Sequence, residues 1–66
     1  MNIWYAVVYD NEDNDHGTGS FDLAEAKALA RRYRDGAFGT AYPDAHVVAV
    51  DSADDFALEE IHDIDD

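Results

Sequence analysis

Apolar and polar positions divide this chain into a few short, differently patterned stretches. Ile3 to Tyr9 (IWYAVVY) is an unbroken β-branched and aromatic run bounded by an acidic turn, which predicts a strand buried on at least one face. After a polar segment, Leu23, Ala26, Leu29, Ala30 and Tyr33 recur at helical spacing and give one apolar face. Asp22 is placed to cap that helix. Glu25 at the third helical position completes a capping-box spacing, and Phe21 with Ala26 offers a hydrophobic staple. Asp35-Gly36 predicts the end, with glycine supplying the left-handed cap. The stretch GAFGTAYPD holds two glycines and the only proline, as expected of a connector.

His46 to Val50 (HVVAV) predicts a second strand and DSADD a turn. FALEEI is ambiguous. The spacing of Leu58, Ile61 and Ile64 favours a helix, whereas a hairpin off the second strand favours sheet. The strand is preferred, because two strands under one helix would be poorly supported. The closing HDIDD is expected to fray. The expectation is therefore one small α+β domain over residues 1–66, β-α-β-β, with one helix on a two- or three-stranded sheet. Adjacent, parallel first and second strands would make a right-handed crossover.

Size and composition narrow the class. At 66 residues there is room for one core, and a domain this small buries only about 60% of its unfolded surface. The 47% apolar content suffices for a packed core and argues against disorder. With no cysteine, neither a disulfide nor a thiolate metal site supports the fold. No apolar run approaches the roughly 18 residues of a membrane span, and no basic region precedes Ile3 as in a signal peptide. A soluble cytoplasmic protein is the expectation.

Charge changes the picture most. Sixteen Asp and Glu face four Lys and Arg, a formal net charge of −12. Such a chain is repelled by nucleic acid and by anionic membranes, so its partners are basic surfaces or cations. All four basic residues, Lys27, Arg31, Arg32 and Arg34, lie in the predicted helix. Thirteen of the sixteen acids lie outside residues 22–35. With parallel strands, Asp10, Glu12, Asp13 and Asp15 would leave the first strand at the pole where Asp51, Asp54 and Asp55 leave the second. Asp22 and Glu25 would open the helix there too. Glu59 and Glu60 would extend this negative surface along an edge, where alternate residues stand about 6.6 Å apart.

Catalytic and ligand-binding patterns fare poorly. An EF-hand-like loop begun at Asn11 places Asp13 and Asp15 at positions 3 and 5, but His16 stands at the glycine position and Asp22 at the final glutamate. His16, His46 and His62 share no ligand spacing, so surface or edge roles are expected and no metal is assigned. The GTGS run lacks a P-loop lysine and follows four acids, which suits a turn feeding the helix cap. No Ser-His-Asp or Cys-His arrangement is present, and one helix cannot close a dehydrated pocket around paired carboxylates. Trp4, Tyr5 and Tyr9 fit a sheet face better than a base-stacking platform. No enzyme activity and no cofactor are expected.

In size and in the charge layout of DNEDND and DSADDFALEE, the chain resembles the small acidic anti-CRISPR proteins that imitate DNA and act on type I surveillance complexes. That resemblance implies that Asp10, Glu12, Asp13, Asp15, Asp51, Asp54 and Asp55, with Glu59 and Glu60 behind them, act as phosphate surrogates in a Lys/Arg groove near the PAM. A groove built to neutralise phosphates binds with steep salt dependence, and carboxylates at similar spacing compete for it with steered association. Two alternatives stand beside it. One is a salt-adapted or mobile-element module with an unrelated basic partner, and the other is a weak Ca²⁺-binding domain.

Overall fold

A computed structural model describes residues 2–9 and 16–65. Its elements are β1 (Ile3–Val8), β2 (Gly19–Ser20), α1 (Leu23–Asp35), β3 (His46–Asp51) and β4 (Phe56–Ile61). They form an α+β domain with α1 against a four-stranded sheet of order β2-β1-β3-β4. Residues 56–61 are a strand, as the hairpin argument predicts.

The strands run otherwise than a crossover requires. β1 and β3 are neighbours but antiparallel, with Val8 opposite His46 and Ile3 opposite Asp51. The reason is β2, which pairs antiparallel with β1 through Tyr5–Ser20 and Ala6–Gly19. This short return carries the chain back along β1 before the helix starts. α1 then climbs beside β1, and β3 descends. The C-terminal ends of β1 and β3 therefore point in opposite directions. The single pole of nine carboxylates expected from parallel strands does not form by that route.

GTGS supplies β2 rather than a plain turn. A Cβ on Gly19 would lie 2.1 Å from the Tyr5 carbonyl oxygen, so only glycine lets the two backbones approach this closely.

Helix α1 begins and ends as its sequence dictates. The Asp22 carboxylate accepts the Ala24 N–H at 2.9 Å. The capping box is rearranged, however. Ser20 Oγ accepts the Asp22 N–H at 3.0 Å and donates to Glu25 at 2.9 Å, relaying between the two. Phe21 leaves the staple position and meets the Trp4 ring edge-on at 4.8 Å. At the other end Gly36 adopts φ 78°, and the Ala37 N–H reaches the Arg32 carbonyl at 3.0 Å, a Schellman closure.

The two central strands β1 and β3 are buried on both faces, which explains why they are unbroken apolar runs rather than alternating ones, while the edge strand β4 is exposed. Val7 and Val47 meet Ala26, Ala30 and Ile64 under the helix. Ala6, Val8, Val48 and Val50 line the other face beside Trp4.

The tail expected to fray is docked. Ile64 is fully buried in the helix-side core, and its carbonyl accepts from the Arg31 guanidinium. Arg34 Nε donates to the Ala45 carbonyl at 2.7 Å, and its Nη2 donates to the His62 carbonyl at 3.0 Å. One guanidinium thus joins the entry of β3 to the exit of β4. Among the described residues no helix is long and apolar enough to cross a membrane.

Candidate functional site

The β3–β4 hairpin carries five of the candidate acids. Asp51 ends β3, and its carboxylate accepts the Ala53 N–H at 3.0 Å, a local bond that starts the turn. Ser52 ties the turn to the first strand, with N–H and Oγ both 3.1 Å from the Asn2 carbonyl. Asp55 takes φ 52°, a left-handed conformation that aspartate tolerates better than most residues. The chain then enters β4 through a bulge. Ala49 faces Glu59 and Val50 faces Ala57, leaving Leu58 extra on the edge strand.

Asp54, Asp55, Glu59 and Glu60 are exposed along this hairpin, together with Phe56 and Leu58. Of the basic residues, Arg31 and Arg34 turn inward to the backbone carbonyls of the C-terminal segment. Ion pairs on the hairpin that use histidine join His16 to Asp55, and His46 and His62 to Glu60.

Asp10, Glu12, Asp13 and Asp15 lie outside the described residues, as does the first part, residues 11–15, of the Asn11–Asp22 segment weighed as a Ca²⁺ loop. The residue that closes this acidic run is placed. His16 Nδ1 lies 3.0 Å from Asp55 Oδ1, and its carbonyl accepts the Trp4 indole N–H at 2.7 Å. Asp22 and Glu25 open the helix within the Ser20 network described above.

A second cluster lies at the opposite end of the hairpin, where sequence spacing gave no ligand set. Val47 pairs with Ile61, so His46 and His62 occupy the next facing positions, and Glu60 shares their face two residues back. The imidazole rings stack with centroids 4.3 Å apart. Glu60 Oε1 lies 3.4 Å from His46 Nε2 and 3.5 Å from His62 Nε2. The only sequence trace is Glu60-x-His62, an i, i+2 pair that shares a face if residue 62 continues the strand. Assigning HDIDD to a frayed tail hides it, and the facing His46 follows only from register.

Comparison with protein-family models, with curated proteins and with solved structures found no match to this chain.

Proposed function

We propose that this domain is a non-catalytic binding module that sets an acidic hairpin into the basic, DNA-binding groove of a protein complex in the host cytoplasm. In its most specific form it is an anti-CRISPR DNA mimic that blocks target recognition by a type I surveillance complex. The observation that supports this reading is the β3–β4 hairpin, whose Asp54, Asp55, Glu59 and Glu60 are exposed on a hydrogen-bonded edge while Arg31 and Arg34 point to internal carbonyls. Glu59 and Glu60 are consecutive and leave β4 on opposite faces, so with the turn acids they wrap the edge in negative charge that can meet cations arranged for phosphates. Asp10, Glu12, Asp13 and Asp15 are the further phosphate surrogates of the proposal.

The test is direct. A variant reversing Asp54, Asp55 and Glu59 to Lys should lose inhibition of target-DNA binding by a type I complex while keeping its far-UV circular dichroism. Binding of the native protein should fall steeply with salt and be competed by duplex DNA. Unchanged inhibition by the reversed variant would sink the idea.

One observation favours a second reading. Phe56 is 65% exposed and Leu58 48% exposed, beside the acids. A phosphate surrogate needs no apolar anchors, whereas a protein partner with a basic rim and an apolar pocket uses them. In that case Phe56→Ser weakens a complex that duplex DNA does not displace.

A further inference from the structure

We propose that His46, Glu60 and His62 form a Zn²⁺ site with three protein ligands and a fourth position open to water. Three facts of geometry carry the assignment, none of which depends on the acidic turn.

The first is the tautomer of His46. Its Nδ1 lies 2.8 Å from the Asp44 carbonyl oxygen, which can only accept, so Nδ1 carries the proton. In the neutral ring Nε2 then presents a lone pair, and it faces a carboxylate oxygen 3.4 Å away. A ring nitrogen aimed at a carboxylate calls for a positive charge between them, which a proton on Nε2 or a metal ion supplies. Donation of the far ring nitrogen to a backbone carbonyl is also how metal-binding histidines are commonly oriented.

The second is distance. The two Nε2–Oε1 separations, 3.4 and 3.5 Å, exceed the span of a charge-assisted hydrogen bond. They match the edge of a tetrahedron around zinc, which is about 3.3 Å for bonds of about 2.05 Å. All three ligand atoms lie within 4.8 Å of one another, so the third edge must shorten as the exposed side chains close on the ion. Two imidazoles and one carboxylate make a donor set that zinc takes with a water as its fourth ligand.

The third is preorganisation. His46 is only 9% exposed, seated at the start of β3. Arg34 holds the carbonyls of Ala45 and His62, so a single side chain fixes the backbone beside one imidazole and at the other. His62 and Glu60 have side chains 64% and 66% exposed. They have room to close on an ion that the net charge of −12 draws in.

This site goes beyond the docking proposal and shares only Glu60 with it; Asp54, Asp55 and Glu59 are not ligands, so their variants separate the two. The experiment is calorimetric titration of the protein with ZnCl₂, with His-selective NMR and a parallel CoCl₂ titration read by visible absorption. Expected are one saturable Zn²⁺ per chain, ring-proton shifts at His46 and His62 but not His16, and a four-coordinate Co²⁺ spectrum. His62→Ala and Glu60→Gln, both at exposed positions, should each weaken binding at least about 100-fold, more than outer-shell changes do. The control variant Asp54→Asn with Asp55→Asn should leave it unchanged. Overturning results are no saturable heat, equal displacement by Mg²⁺, or a loss in the control variant as large as in His62→Ala. The last would mean diffuse attraction to carboxylates.

Discussion

His16 and Asp55 are 39 residues apart in the chain, yet their side chains meet at 3.0 Å between Nδ1 and Oδ1. The contact joins the end of the first acidic segment to the turn of the β3–β4 hairpin. Antiparallel pairing of β1 with β3 sends their C-terminal ends apart, so this meeting is made by the return of the chain toward Trp4. Asp55→Asn keeps a side chain suited to the left-handed turn and removes the charge. It should cost no more than about 1 kcal/mol in urea unfolding, as exposed pairs do. His16→Pro should do more than His16→Ala, and the emission of Trp4, the single tryptophan, reports both.

Gly19→Ala tests the close approach of β2 to β1. Its Cβ would overlap the Tyr5 carbonyl at 2.1 Å, and backbone cannot yield as a side-chain end can. A loss of about 2 kcal/mol or more in denaturant midpoint is expected, within the range of overpacking. Gly39→Ala is the comparison. Its left-handed φ of 106° meets no neighbour, so its effect is strain alone and smaller.

Ile64→Ala should cost about 3 kcal/mol, as truncation of a fully buried isoleucine does. In a domain this small that approaches its whole stability. Deleting residues 62–66 should therefore unfold the protein rather than trim it, which one-dimensional NMR would show. A folded truncated protein would contradict the docked tail.

Arg34→Lys should be nearly as damaging as Arg34→Ala. The guanidinium spans the Ala45 and His62 carbonyls with separate nitrogens, whereas an ammonium offers one point of donation. A loss of about 2 kcal/mol is expected for either in urea unfolding.

Stability should rise with added NaCl, since sixteen acids against four basic residues repel one another across an exposed surface. Urea midpoints at low and moderate salt measure this. Structure that survives at low salt separates ordinary screening from an obligate adaptation to molar KCl.

Much of the local structure was legible in the sequence. Strands over Ile3–Tyr9 and His46–Val50 and a helix capped by Asp22 and stopped at Gly36 follow from pattern and capping chemistry, and the structure places them at Ile3–Val8, His46–Asp51 and Leu23–Asp35. The strand at Phe56–Ile61 follows from the need for a hairpin partner, against a spacing of Leu58, Ile61 and Ile64 that favours helix. These signals are local, and a few residues suffice to write them. The two-residue β2 was hidden because Gly19-Ser20 has turn chemistry and becomes a strand only by lying against Tyr5 and Ala6. The docking of the tail is not legible locally, because HDIDD is polar apart from Ile64 and only tertiary packing provides the space that buries that side chain.

The sequence by itself determined the excess of carboxylates, the confinement of all basic residues to one helix, and the α+β class. Tertiary structure alone decided the direction of β3, the approach of His16 to Asp55, and the grouping of His46, Glu60 and His62. Each of these depends on strand register or on a long chain return. Such pairings are set by burial summed over the whole sheet, so no short stretch of the chain encodes them.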